Sequence, residues 1–344
     1  MLAVVSGSSG FIGSHLVDRL LGDGWAVRAL TRRGRATTSR SGVDAVVVDW
    51  LDGGDPALTR ALDGADVVLH LGGVTRGRSD ADFWRGNVRP VEALAEAIRA
   101  MTTRPPRLVL VSSQAAAGPA LTREAPRVES DAPAPVDGYG RSKLAAERVA
   151  LSLADRTAVT IVRPSCVYGP RDRDFFRLFQ QAARGWSVHP GDRDRWIDLV
   201  HVDDVVQALV AAATAAVSDT YFVGGAALTW RALHDAIAQV VGRHTIRVDL
   251  PDWLVSAAAR VGDAWALVAR EVPLANTHKV ALGRQRYWLC SSARAARRLG
   301  YAPRRALPDG LRETYLWYLE HGWLRPTRSD ARDRRSLSDH RPPT

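Results

Sequence analysis

Lysine is nearly missing from this chain of 344 residues: Lys143 and Lys279 are the only two among 47 basic side chains, and arginine supplies the rest. A position that keeps lysine against that bias is a candidate for chemistry arginine cannot perform, because a guanidinium does not shed its proton near neutral pH. Cysteine is equally scarce. Cys166 and Cys290 are too few for a disulfide framework and lack metal-ligand spacing, so both are expected as reduced thiols. Apolar runs are short: none reaches the roughly eighteen uninterrupted residues of a membrane-spanning helix. The chain enters a strand-like stretch, Leu2 to Val5, without the charged and apolar regions of a secretory leader, and a cytoplasmic location is the expectation.

A formal charge of +10 raises the question of a polyanionic partner, but the excess is spread along the chain and no nucleic-acid partner is expected. Residues 325–344 concentrate six arginines against three aspartates, with no periodic apolar positions, and read as a disordered, solvated tail. The rest, with 46% apolar residues overall, has enough material for a substantial core.

Short apolar runs recur at Leu2 to Val5, Ala26 to Thr31, Ala45 to Val48, Asp66 to Leu71, Arg107 to Val111 and Ala158 to Val162. Helical patterns separate them at Phe11 to Leu21, Pro56 to Leu62, Asp82 to Ala100 and Tyr139 to Leu153. Continuous apolar strands alternating with helices predict an α/β fold, a doubly wound parallel sheet covered on both faces. Beyond Arg163 the pattern changes to Trp-bearing segments, a Pro/Gly-rich loop from Gly185 to Asp194, and helices around Trp230 to Val241 and Pro251 to Arg270. These predict a smaller C-terminal substrate-binding domain. The expected division is 1–165 with about 197–225 in the main domain, whose sheet Ile197 to Gly225 rejoins, and about 166–196 with 226–324 in the smaller one. The proline-rich loop Gly118 to Asp137 is long enough to cap a site.

Between the first strand and first helix runs Ser6-Gly7-Ser8-Ser9-Gly10-Phe11-Ile12-Gly13. Small residues there let the backbone approach a pyrophosphate, whose charge the helix N-terminus stabilises. Gly7, Ser9, Gly10, Phe11, Ile12 and Gly13 are therefore candidate cofactor contacts. The second strand ends at Arg32 and Arg33, where an NAD-selective site usually carries an acidic residue. A guanidinium there can bind a 2'-phosphate, so NADP(H) is favoured over NAD(H). Asp49 and Trp50 close the third strand as candidate adenine contacts. Leu71, Gly72 and Gly73 close the fourth, where backbone must pass near the cofactor.

Tyr139 and Lys143 open a helix at i, i+4 and share one face. An adjacent ammonium should lower the phenol pKa and let Tyr139 exchange a proton with a substrate oxygen. Strand five runs into Ser112-Ser113, putting a hydroxyl at the carboxyl end of the sheet, where Ser113 could hydrogen-bond that oxygen. Asn87 is a candidate for ordering cofactor or water, with packing as the equal alternative.

Together these residues resemble the extended short-chain dehydrogenase/reductase family. The resemblance spans about Leu2 to Leu324, including the glycine turn at Ser6 to Gly13, Val-Ser-Ser at Val111 to Ser113, Tyr-x-x-x-Lys at Tyr139 to Lys143, Arg-Pro-Ser-Cys-Val-Tyr-Gly-Pro at Arg163 to Pro170, and His-Val-Asp-Asp at His201 to Asp204. It implies a Rossmann domain, a Ser/Tyr/Lys site made of Ser113, Tyr139 and Lys143, and Pro164 and Val167 beside the nicotinamide. Counting back from Gly118 by the family pattern selects Ser113 over Ser112. A homodimer through helices is common in the family.

Within that family, sugar-nucleotide enzymes usually carry Asn where this chain has Cys166 and Arg where it has Ile197, two groups that bind diphosphate. Arg195 could substitute if its loop shifts. The departures point to hydride transfer between NADP(H) and a mainly apolar ketone or alcohol, steroid- or flavonoid-like, as in hydroxysteroid dehydrogenase and dihydroflavonol reductase relatives. The alternatives are a nucleotide-sugar epimerase or dehydratase, and a non-catalytic NADP-binding regulator, which would not need the full Ser/Tyr/Lys set. Trp186, Trp196, Trp230, Trp253 and Trp265 suit a flat apolar small-molecule substrate, with core packing the plainer reading. Trp253 to Val268 is amphipathic enough for peripheral membrane contact, while Arg260 and Asp263 argue against a spanning helix.

Overall fold

The computed structural model describes residues 1–32, 41–50, 54–215, 218–269 and 277–326, with side chains described outside 262–279. Arg33 and the expected tail from residue 327 onward lie outside the described residues.

The first half alternates as read from the sequence: β1 (Leu2–Ser6), α1 (Phe11–Gly22), β2 (Ala26–Arg32), β3 (Val43–Val48), α2 (Pro56–Leu62), β4 (Val67–His70), α3 (Asp80–Asn87), α4 (Arg89–Ala100), β5 (Arg107–Val111), α5 (Gln114–Ala117), α6 (Gly138–Leu151) and β6 (Val159–Pro164). The run expected as one helix over Asp82 to Ala100 is two. Pro90 sits in the first turn of α4, where its missing N–H costs nothing, and its ring stops α3 from continuing unbroken.

The second half holds β7 (Cys166–Tyr168), α7 (Phe176–Ala183), β8 (Trp186–Pro190), β9 (Trp196–His201), α8 (Val202–Thr214), β10 (Thr220–Val223), β11 (Ala226–Thr229), α9 (Trp230–Val241), β12 (Ile246–Leu250), α10 (Asp252–Ala269), α11 (Thr277–Gly283), β13 (Tyr287–Trp288), α12 (Ala293–Leu299) and α13 (Leu307–Glu320).

Seven strands form one parallel sheet in the order β3-β2-β1-β4-β5-β6-β10. This is a doubly wound Rossmann-type sheet, and its order reverses between β1 and β4, which opens a crevice at the carboxyl ends of those two strands. One face carries Leu58, Leu62, Leu94, Ile98 and Ala146 from α2, α4 and α6; the other carries Leu16, Leu20, Val205 and Leu209 from α1 and α8. A third cluster, with Tyr168, Phe179, Leu233, Tyr315 and Tyr318, forms a separate core in the C-terminal region.

Two expectations need correction there. β9, which begins the segment expected to rejoin the main sheet, pairs instead with β7, β11 and β13 in a second sheet, and only α8 and β10 return. The loop expected at Gly185 to Asp194 contains β8, paired in parallel with β12. Its hydropathy pattern is inverted, which hid it: Trp186 is exposed while Ser187 and His189 face inward. The buried Ser187 hydroxyl satisfies that inversion by bonding His189 Nε2 at 2.8 Å and His234 Nδ1 at 3.0 Å.

Candidate active site

The glycine turn is built by close backbone contact. Gly7 takes φ +70°, and a Cβ there would lie 2.8 Å from the Gly72 nitrogen and the Leu71 carbonyl carbon; one at Gly13 would lie 2.1 Å from the Gly7 carbonyl oxygen. The ends of β1 and β4 and the start of α1 therefore touch as only glycine allows. Ser6 reinforces the junction: its Oγ accepts from the Gly72 N–H at 3.1 Å and pairs with His70 Nδ1 at 2.7 Å. Burial and the Lys143 charge lower the His70 pKa to about 3, so this ring is neutral.

Gly10 caps α1 with no side-chain hydrogen bond, and no acidic residue occupies the first turn. A Cβ at Gly10 would meet only the Gly7 carbonyl, at 3.1 Å. A helix N-terminus kept clear of side chains and of negative charge is what a pyrophosphate requires, so the turn fits a dinucleotide. Gly13→Ala is accordingly expected to force the turn apart, at a cost of about 1–3 kcal/mol for overpacking, and to abolish the rise in melting temperature that a nicotinamide dinucleotide gives the parent protein.

The remaining cofactor candidates lie at the same carboxyl edge. Arg32 is exposed at the end of β2. The Asp49 N–H donates to Asp55 at 2.7 Å, and the Trp50 ring meets His70 edge-on at 5.7 Å. Pro164 ends β6 beside Val223 of β10, and Val167 packs on the core cluster beneath β1. Asn87 spans the β4–α3 loop: Oδ1 accepts from the Val74 N–H at 2.7 Å, while Nδ2 donates to the Val74 carbonyl at 3.1 Å and to Ser142 Oγ at 2.8 Å. Of its two candidate roles, the geometry gives it the packing one, tying that loop to α6.

Three features bring Tyr139 to Ser113. Asp137 caps α6 by accepting from the Gly140 N–H at 2.8 Å. Gly140 lets the helix seat on α5, since a Cβ there would lie 2.3 Å from the Ala115 carbonyl. Ser113 caps α5 in turn, its hydroxyl accepting from the Ala115 N–H at 3.2 Å. A hydrogen bond joins the Tyr139 and Ser113 side chains. Ser112 is committed elsewhere: it is buried and donates to Glu147.

Lys143 is buried and Nζ donates to the Val111 carbonyl at 2.7 Å. Burial lowers its pKa to about 8, against the opposing pull of Glu147. The expected lowering of the Tyr139 pKa is not found. Burial raises it to about 12, the Ser113 bond pulls the other way, and Asp137 adds to the rise. The Lys143 ammonium is engaged by the end of β5 and by Glu147, so the phenol keeps its proton at neutral pH.

The sequence reading missed the charged brace beneath this site. Arg163 donates to Glu147 twice, Nε to Oε1 at 2.9 Å and a terminal nitrogen to Oε2 at 2.6 Å, with both side chains buried. It locks α6 to β6 and, through Ser112, to β5. The available signal was Glu147 itself, one turn past Lys143 and between the buried Ala146 and Ala150.

Of the tryptophans, Trp186 and Trp253 are exposed, and the Trp265 side chain lies outside the described residues. Trp196 is stacked under Arg123 at 3.9 Å. Trp230 lies under Arg195 at 4.3 Å. The Arg195 guanidinium also donates to the carbonyls of Pro190 and Asp192, at 2.8 and 3.1 Å, and Ile197 is buried.

This sheet, glycine turn and Ser/Tyr/Lys cluster are those of a nicotinamide-dependent oxidoreductase fold, and the NAD dependent epimerase/dehydratase family matches residues 3–224. The chain belongs to that family, within the extended short-chain dehydrogenases/reductases. Among curated proteins it is 33% identical over 335 residues to a ceramide reductase of Caulobacter vibrioides, covering 94% of this chain and 96% of the relative. It is 32% identical over 341 residues to a UDP-glucose 4-epimerase of Mycolicibacterium smegmatis, covering 92% and 98%. The solved structure of MoeE5 in complex with UDP-glucose and NAD superposes with a TM-score of 0.75, at 27% identity over 93% of this chain and 99% of that one.

Proposed function

We propose that this enzyme transfers a hydride between a nicotinamide dinucleotide, NADP(H) in preference to NAD(H), and the carbonyl or alcohol carbon of a mainly apolar small molecule. The observation that carries the reading is the state of the diphosphate-binding positions. Ile197 is buried and alkyl, Cys166 offers a thiol, and the nearby Arg195 is held by Nη1 on the Pro190 and Asp192 carbonyls and stacked on Trp230. An alkyl chain and a thiol at those two positions withhold the polar anchors that a nucleotide sugar's diphosphate needs. The likeness to a ceramide reductase over nearly the whole chain supports an apolar substrate, and Arg32 at the end of β2 supports the 2'-phosphate.

Gly7, Gly10 and the first turn of α1 would hold the pyrophosphate, and Lys143 the ribose beside the nicotinamide. When bound, the dinucleotide supplies the hydride. In the reducing direction Ser113 donates a hydrogen bond to the substrate carbonyl oxygen, and Tyr139 gives that oxygen its proton as the carbonyl carbon becomes a carbinol. The tyrosinate left behind regains a proton from water once the alcohol departs. A phenol held protonated up to pH about 12 is an acid in waiting, which suits reduction.

The pKa of Lys143 sets a pH dependence. Its ammonium is present below about 8 and lost above, so kcat/KM for the cofactor should be level through neutral pH and fall on an alkaline limb near 8. A rate that rises through that range would contradict the role given to Lys143.

A second reading, an epimerase acting on a nucleotide sugar, is favoured by the likeness to a UDP-glucose 4-epimerase and to MoeE5 bound to UDP-glucose. Heat-denaturation protection separates the two. With NADPH present, long-chain ketones or sphingoid ketones should raise the melting temperature and UDP-glucose should not. The opposite pattern would select the epimerase.

A further inference from the structure

We propose that the outer face of α10 docks this enzyme on an anionic membrane surface. In a helix packed on a soluble core the apolar stripe faces inward and the polar one outward. Over residues 252–261, the part of α10 whose side chains are described, the order is reversed. The inward position is Ala259, fully buried, whereas Trp253, Leu254, Ala257, Ala258 and Val261, which share the opposite side at helical spacing, are all exposed. Trp253 is 71% exposed and Val261 69%. An exposed apolar face of this kind marks an interaction site.

The surrounding charge selects the occupant. Arg260 is exposed at the edge of the apolar side, and Arg284 reaches the helix from the other chain segment to donate to Ser256 Oγ at 2.9 Å. Residues 243–261 and 280–286 together carry five arginines, two of which, Arg247 and Arg286, are paired with Asp235 and Asp192, against Asp249 and Asp252, on a chain of net charge +10. Two copies of such a face repel each other, whereas anionic lipid attracts it, and tryptophan with arginine on one helix suits the boundary between acyl chains and headgroups.

The placement also ties the helix to the loop before Arg195. Asp252, at the start of α10, approaches Gly191 and acts electrostatically on Arg195, which in turn acts on Cys166. The start of α10 therefore lies against the loop at Gly191 that leads to Arg195. Docking stands on the helix alone; that it delivers an apolar substrate rests on the proposed function.

Co-sedimentation of the full chain with vesicles of phosphatidylglycerol and phosphatidylcholine tests it, against the double variant Trp253→Glu, Val261→Glu. Both side chains are exposed, so the variant should keep its circular dichroism, melting temperature and turnover of a water-soluble ketone. The parent protein should partition onto the anionic vesicles, more weakly onto phosphatidylcholine alone or at high salt, and the variant at least tenfold less. Equal partitioning of parent and variant, or a parent that stays in the supernatant, would overturn the proposal. So would a parent dimer that the variant converts to monomer, since a second copy would then cover the face. Vesicle binding lost in the variant but no turnover of any carbonyl by either protein would uphold docking and defeat the proposed reaction instead.

Discussion

Tyr139→Phe is expected to lower kcat by roughly 100- to 10,000-fold, the usual contribution of a positioned general acid, while cofactor affinity stays almost unchanged. The variant is close to isosteric. The ring keeps its edge contact with Phe83, 6.1 Å between centroids, and Asp137 still caps α6 through Gly140. Only the hydroxyl that bonds Ser113 is removed, so a loss of turnover cannot be assigned to misfolding if the melting temperature and the dinucleotide-induced shift are retained. Stopped-flow observation of nicotinamide absorbance, with dinucleotide affinity measured separately by fluorescence, separates the two effects. Turnover near the parent rate would remove Tyr139 from the chemistry.

Glu147→Ala should be the most damaging single change to stability outside the hydrophobic core. It leaves the buried Arg163 guanidinium without its two carboxylate bonds and deprives Ser112 of its acceptor. Removing one partner of a buried ion pair costs about 3–5 kcal/mol, because the other charge remains out of water. The urea midpoint should fall accordingly, and pairing Glu147→Met with Arg163→Met should recover much of the loss. Glu147→Gln, which keeps shape, gives a second readout. The carboxylate raises the Lys143 pKa against the effect of burial, so its neutralisation should move the alkaline limb of the pH profile to lower pH. A purely structural Glu147 would leave that limb in place.

Much of this architecture was legible in the residues because the determinants are local. Alternating apolar strands and helices specify the sheet, and Asp137, Gly140 and Ser113 act within a few positions of the groups they place. Ser113 was separable from Ser112 only through the family pattern; the structure supplies the physical reason, since Ser112 is spent on Glu147. What escaped the sequence was long-range. Whether Lys143 acts on Tyr139 depends on where its ammonium is held, and the Val111 carbonyl at the end of a strand 32 residues earlier in the chain takes it. β8 was hidden because its inward side chains are polar and find partners across the fold in His234. The break between α3 and α4 was visible at Pro90, but an unbroken apolar periodicity outweighed it.

Isotope transfer from the cofactor bears most directly on the chemistry assigned to this cleft. Incubated with NADPH deuterated at the hydride-bearing ring carbon and a long-chain ketone, the enzyme should release an alcohol carrying deuterium on the former carbonyl carbon, with one dinucleotide oxidised per alcohol formed. An unlabelled product, or a nucleotide sugar epimerised with no net oxidation of the dinucleotide, would contradict it.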